Sequence, residues 1–153
     1  MNPNELDRNS GGPRAAIVGT NDPDNPGPGP FVMAADTLEG NAVVGPGGDK
    51  LGTVDHIMLD VGGGRIAYAV VSFGGFLGMG SKLFAVPWSA LTLDTQRKSF
   101  VLGIDRAMLE AAPGFDKDHW PSMADPQWGT TIHEYYGASP YWKDYRYERE
   151  AQP

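Results

Sequence analysis

Histidine and carboxylate side chains adjoin at three places in this chain, and such pairs are the raw material of metal sites and of acid–base catalysis. The pairs are Asp55 with His56, Asp118 with His119, and His133 with Glu134. Because neighbouring side chains of a strand point to opposite faces, we expect that Asp55 and His56 do not bind one ion together. His119 and His133 have no partner at helical spacing, which argues against a metal site. For Asp116, Asp118 and His119 the sequence favours an ordinary solvated turn.

A glycine-rich segment could bind anions through its backbone amides. Residues 74–80 read GGFLGMG and are followed by Ser81 and Lys82, which reverses the lysine-then-serine order of a phosphate-binding loop. No long helix is predicted after it. We therefore expect a wide connection between strands that displays Phe76, Leu77 and Met79 as an apolar contact surface.

The serine residues give little support for nucleophilic catalysis. Ser72, Ser81 and Ser89 are present, but none lies in a recognisable nucleophile elbow. The predicted β module is too small to hold a large cavity together with its own side chains. The chain is predicted to be non-catalytic; a hydrolase is the alternative, and it would need a deep polar pocket around His56 or His133.

Composition excludes several classes of protein. The chain has no cysteine, so it contains neither disulfides nor thiolate metal sites, and its net charge of −7 argues against nucleic-acid binding. The acidic excess lies in the segments 1–40 and 113–153. No signal-peptide pattern and no run of about eighteen apolar residues is present. We expect a cytoplasmic protein that does not insert into membranes.

Six short strands are predicted between residues 41 and 102, separated by glycine-rich or polar turns. They cover residues 41–44, 51–60, 65–73, 82–86, 91–93 and 99–102. Residues 88–91 are predicted to form one helical turn, and Asp105 to cap a short helix that continues through Ala112.

The strand from Arg65 to Phe73 is apolar on both faces. Alternation places Ile66, Tyr68 and Val70 on one side and Ala67, Ala69, Val71 and Phe73 on the other. One set can fill the interior of a barrel or sandwich. The other set needs a cover, either a flanking segment or a second subunit.

The two flanks differ in composition. Residues 1–35 are rich in proline and glycine and are predicted to be a disordered arm, with docking of Ile17 and Val18 on the domain or on a partner as the alternative. Residues 113–153 hold nine of the sixteen aromatics, so we predict a tail that packs them on the module or on a second subunit. Asp125-Pro126 predicts a helix start, and Thr131 to Glu134 has capping-box spacing, with Gly137 ending that turn.

The core of the chain resembles the PRC-barrel family. The resemblance rests on GDKLGTVDHIMLD at 48–60, IAYAVV at 66–71 and GGFLGMGSKLFAVPWSAL at 74–91, and it covers residues 36–112. It implies an all-β fold, a small, strongly bent antiparallel barrel of about six strands with a short C-terminal helix. The resemblance also implies a docking module without enzymatic activity or cofactor, similar to stand-alone bacterial members that are often associated with stress or envelope contexts.

We therefore interpret the chain as a self-associating protein-interaction module, a homodimer and stress-related adaptor with an unidentified protein partner. The alternative is a small-ligand or metal-binding protein with its site under the aromatic tail. The interaction candidates are Phe76, Leu77, Met79, Trp88, Trp120, Trp128, Tyr135, Tyr136 and Trp142.

Overall fold

The computed structural model describes residues 14–18, 32–73 and 82–143. In chain order its elements are β1 (Ala16–Val18), α1 (Ala35–Leu38), β2 (Ala42–Val44), β3 (Lys50–Asp60), β4 (Arg65–Ser72), β5 (Lys82–Pro87), a 3₁₀ turn (Trp88–Ala90), β6 (Leu91–Asp94), β7 (Ser99–Leu102), α2 (Arg106–Glu110), β8 (Phe115–Asp116) and α3 (Pro126–Tyr136). In this part of the chain, no helix combines the length and the apolar character that crossing a bilayer requires.

All six predicted strands are present as β2 to β7. The predicted turns after β2, β3 and β6 are present as well, whereas the predicted connection at residues 74–80 lies outside the described residues. β3, β4 and β5 pair antiparallel in succession, and β6 pairs antiparallel with β7. Gly48 and Gly64 adopt φ angles of 89° and 68°, in the left-handed region that glycine occupies without steric cost. The predicted turn at residues 88–91 is the 3₁₀ turn.

The sheet is mixed rather than antiparallel, and it has eight strands rather than about six. Its order is β1-β6-β7-β2-β3-β4-β5-β8, with β2 parallel to β7 and β1 parallel to β6. The β6–β7 hairpin returns to the outer edge of β2, which produces the parallel pair. Among the described residues no pairing joins β1 to β8, so closure into a barrel is not detected.

The N-terminal arm contributes a strand. Residues 16–18 pair with residues 92–94 of β6, and Ile17 packs against the main core. For residues 16–18 the structure agrees with the alternative prediction, in which Ile17 and Val18 dock on the domain. Residues 1–13 and 19–31 of the arm lie outside the described part of the chain.

The main core fills one face of the sheet. Its largest fully buried members include Phe84, Phe100, Leu91 and Leu102. Gly52 on β3 allows a close approach of β4, because a methyl group there would clash with the Ser72 carbonyl oxygen and the Phe73 ring. Any larger residue at position 52 would force the β4 backbone or Phe73 to shift.

The residues predicted to start and end the two C-terminal helices are confirmed in those roles, with one exception. Asp105 and Asp125 cap α2 and α3 by accepting backbone N–H bonds, and Gly137 ends α3 with a φ of 67°. The capping box predicted at Thr131 is wrong. Thr131 lies inside α3 and its hydroxyl donates to the Gln127 carbonyl, because the helix had already started at Pro126.

Candidate interaction surfaces

The second face of β4 is covered by the C-terminal part of the same chain. Tyr68 and Ala85 of the sheet form a buried cluster with Ile132 of α3. Trp128, Tyr136 and Tyr141 pack around this cluster, and we call residues 126–142 the aromatic lid. The lid supplies the cover that the two-sided strand requires without a second subunit.

Tyr68 lies at the centre of the lid contacts. Its ring centroid is 5.3 Å from Trp128, 5.4 Å from His133 and 5.6 Å from Tyr141, mostly in edge-on arrangements. Such aromatic pairs are favourable beyond the apolar area that they bury. A shift in register near Ala67 brings that residue into the same cluster, although strict alternation predicts it on the face of Ala69.

His133 is enclosed in the lid with 1% of its surface exposed. Its Nδ1–H donates to the Gly129 carbonyl at 2.6 Å, and the rings of Tyr68, Tyr141 and Trp142 surround it. Burial lowers its pKa, because the charged form loses hydration. His133 is therefore a neutral packing residue, and Glu134 beside it points to solvent.

Two tyrosine hydroxyls at the contact between β4 and the lid are buried without a hydrogen-bond partner among the described residues, those of Tyr68 on β4 and Tyr136 in the lid. Burial raises the pKa of both hydroxyls above the ordinary value. The neighbouring Tyr135 differs, since its hydroxyl donates to the Met108 carbonyl and so links α3 to α2.

An open groove of about 420 Å³ lies beside β3, β4 and β5, at the end of these strands opposite the aromatic lid. It is lined by Asp55, His56, Ser72, Leu83, Lys117 and Trp120. Asp55 and His56 line it together because β3 has a bulge there: Val54 pairs with Val71 and His56 with Val70, which leaves Asp55 as the extra residue. The expectation that these two side chains lie on opposite faces is wrong for this reason.

Trp120 forms one wall of this groove and is 40% exposed. Its indole N–H donates to the Lys117 carbonyl at 2.8 Å, and its ring lies 5.5 Å from His56 and 5.0 Å from Phe115 between centroids. These contacts hold a large apolar side chain in place while one side of it stays open to solvent.

The predicted interaction residues do not form one surface. Trp120 lies at the groove, whereas Trp128, Tyr135, Tyr136 and Trp142 are half-buried in or beside the lid. Trp88 packs edge-on against Phe100 at 5.6 Å, next to the main core. Phe76, Leu77 and Met79 lie outside the described residues.

The groove residues Asp55, His56, Ser72, Leu83 and Lys117 were not predicted as interaction residues, because the bulge that brings Asp55 and His56 together has no local sequence signal. The part of the chain that the structure describes contains no group of three His, Asp or Glu side chains able to hold a metal ion. His119 is exposed.

Comparison with known proteins agrees with the resemblance noted from the motifs. A search of curated proteins finds no match. The family model of the PRC-barrel domain matches residues 31–109, about half of the chain, which includes β2 to β7 and most of α2. The six-stranded centre of the sheet and this match together show that the chain belongs to the PRC-barrel family.

Proposed function

We propose that this chain is a non-catalytic protein-interaction module that docks a segment of a partner protein in the groove beside Trp120. The observation that carries the proposal is a half-exposed tryptophan fixed at an open groove by His56, Phe115 and the Lys117 carbonyl. Tryptophan is enriched among the residues that dominate protein interfaces, because it buries a large area and loses little conformational entropy.

The polar groups of the groove favour binding over catalysis. The Ser72 hydroxyl donates to the Asp55 carboxylate at 2.9 Å, whereas His56 contacts the Trp120 ring. In the described part of the chain no hydrogen bond joins His56 to Ser72, so the serine lacks the base that nucleophilic catalysis needs. The groove combines apolar area from Leu83 and Trp120 with a carboxylate and the Lys117 ammonium, which fits a peptide with an apolar anchor and flanking charges.

The test compares Trp120→Ala with Val32→Ser in affinity capture from the native organism. Val32 is 68% exposed and lies outside the groove, so its variant controls for the loss of an exposed apolar side chain. We expect Trp120→Ala to lose a partner that the wild-type and Val32→Ser proteins retain, with unchanged circular dichroism. Equal capture of the same proteins by all three would contradict the proposal.

Self-association as a homodimer is also part of the proposal, but the two-sided apolar strand does not support it. The two-sided strand is covered within one chain by the aromatic lid. Exposed apolar area is instead offered by Leu59 and Val61, 58% and 86% exposed at the tip of the β3–β4 hairpin. A stress-related adaptor role is the setting we propose, by analogy with stand-alone members of the family.

Ligand binding under the lid is the second candidate function, and the unpartnered hydroxyls of Tyr68 and Tyr136 favour it. A small polar molecule or ion that satisfies them would remain bound through purification. Native mass spectrometry of the purified protein separates the two candidates. A retained species of fixed stoichiometry supports the ligand-binding function, and a bare polypeptide supports the docking function.

A further inference from the structure

β1 is held on the edge of β6 like a bound peptide. Its three residues run parallel to β6, with Ala16 opposite Thr92, Ile17 opposite Leu93 and Val18 opposite Asp94. The ladder extends one residue further, because the Thr95 N–H and hydroxyl both donate to the Val18 carbonyl, at 2.9 and 3.1 Å. Ile17 packs against the main core, whereas Ala16 and Val18 are exposed.

The segment is joined to the rest of the domain through residues 19–31, whose sequence contains four prolines and three glycines. A strand of three residues makes few hydrogen bonds, each contributing about 1 kcal/mol net, and ordering its backbone costs about as much per residue. The hydrogen bonds therefore add little net stability, and the packing of the partly buried Ile17 on the main core helps to hold the strand. The pairing of β6 with β7 does not involve this strand.

We propose that the β6 edge is a strand-acceptor site for an extended segment of a partner protein, which the chain's own Ala16–Val18 occupies in cis. The cis strand defines the chemistry of the partner: a backbone that adds parallel to β6, an aliphatic β-branched side chain at the Ile17 position, and small or solvent-tolerant residues on both sides. Addition of a strand to a sheet edge takes its affinity from main-chain hydrogen bonds and its specificity from alternate side chains.

The effective concentration of the cis segment decides whether a second copy of this chain could take its place on β6. A short tether gives the cis segment an effective concentration of roughly millimolar. The identical segment of a second copy, present at micromolar concentration, makes the same contacts and does not displace it. A partner displaces it by offering more contacts, for example a longer strand that continues past the position of Thr95.

This inference concerns a different surface from the Trp120 groove, and its test uses the full chain. Ile17→Asp places a charge against the main core, so we expect β1 to leave the β6 edge in this variant, and Ile17→Ser is the milder second variant. Val18→Asp is the matched control, because Val18 is 47% exposed and its side chain does not enter the core. The probe is a fluorescent peptide of residues 12–20, with sequence GPRAAIVGT.

We expect the peptide to bind the Ile17→Asp and Ile17→Ser proteins saturably and on the order of ten-fold or more tightly than wild type or Val18→Asp. A peptide that itself carries the Ile17→Asp change should not bind. Adding Trp120→Ala should leave the peptide affinity unchanged, so that the failure of the groove proposal and the failure of this one are distinguishable. Absence of binding to correctly folded vacated variants would overturn the proposal.

The absence of cysteine from the chain allows a second measurement. Thr92→Cys in the vacated protein should form a disulfide with a peptide carrying Ala16→Cys, since these two positions are in register. Glu110→Cys, exposed on α2, controls for random collision. Equal crosslinking at both positions would overturn the proposed register. A covalent dimer formed by the otherwise wild-type Ala16→Cys, Thr92→Cys double variant would overturn occupancy in cis.

Discussion

Adjacent residues in this chain meet very different surroundings, and the pair Tyr135 and Tyr136 shows the effect most directly. The Tyr135 hydroxyl donates to the Met108 carbonyl, whereas the Tyr136 hydroxyl is buried with no partner in the described part of the chain. An unsatisfied buried hydroxyl has lost its hydration without gaining a bond in return. Because the two side chains are identical, the same substitution by phenylalanine removes a bonded hydroxyl at one position and an unbonded hydroxyl at the other.

Removing these two hydroxyls should therefore have opposite effects on stability. We expect Tyr136→Phe to leave the free energy of unfolding unchanged or to raise it, by up to about 1 kcal/mol. Tyr135→Phe should lower it by about 1 kcal/mol, because one hydrogen bond between α3 and α2 is lost. Urea denaturation of both variants measures the difference. A larger loss in Tyr136→Phe than in Tyr135→Phe would show that the Tyr136 hydroxyl has a partner, such as a bound ligand.

His133 should make stability depend on pH. Burial lowers its pKa from the ordinary 6.5, so near and below that pH the unfolded chain binds a proton that the folded chain does not. The free energy of unfolding should fall as pH is lowered from about 6.5 towards the folded pKa, by at most about 1.4 kcal/mol per pH unit for one proton. Tyr68, Tyr141 and Trp142 face the ring, and none of them carries charge at this pH.

Urea denaturation between pH 5 and pH 7.5 tests this expectation. His133→Gln should reduce the slope, whereas His119→Gln, at an exposed position, should retain it. An equal slope in both variants would assign the pH dependence to other groups.

At the scale of elements, α3 is attached to the sheet by few buried side chains. Ile132 is 1% exposed and contacts the cluster of Tyr68 and Ala85, while Thr130 on the same helix points to solvent. The cap at Asp125 and the left-handed Gly137 define where α3 starts and ends, but its position on the sheet depends on apolar burial.

Ile132→Ala should therefore loosen the lid. We expect a loss of about 2 to 4 kcal/mol in the free energy of unfolding, because a buried aliphatic side chain is removed and a cavity is left. Thr130→Ala should be close to neutral. Indole resonances in ¹H–¹⁵N spectra provide the structural measurement: Trp128 and Trp142 should shift in Ile132→Ala, and Trp88 should not. A shift confined to Trp88 would contradict the placement of the lid.

At the scale of the whole molecule, the cover of the sheet belongs to the same chain. Deletion of residues 114–153 removes β8 and the lid and exposes Tyr68, Ala85 and their neighbours. We expect the truncated protein to aggregate or to become insoluble, because a contiguous apolar face is then open to water. A soluble, well-folded truncated monomer would show that the lid is dispensable.

Sedimentation velocity of the full chain tests the proposed homodimer separately. If the apolar hairpin tip forms the contact, Leu59→Ser with Val61→Ser should convert a dimer to a monomer, whereas Trp120→Ala should not change the mass. Both residues are exposed, so the double variant should keep the fold. A monomeric wild-type protein at high concentration would contradict self-association.

The sequence by itself determined the local features of this protein. β-Branched and aromatic runs specify strands, glycine specifies the turns at Gly48 and Gly64, and the side chains of Asp105 and Asp125 specify helix starts, because each depends on interactions within a few residues. The family was also accessible, since the motifs at 48–60 and 74–91 are contiguous. The need to cover β4 on both faces followed from its composition alone.

Only the tertiary structure decided how these elements meet. The parallel pairing of β2 with β7 joins strands more than fifty residues apart along the chain, and no local pattern specifies such a partner. The bulge that brings Asp55 beside His56, and so forms the groove with Trp120, results from the register between β3 and β4. The aromatic composition of residues 113–153 predicts a packed tail. Only the packing of Ile132 and Tyr136 on Tyr68 shows that the tail covers its own chain.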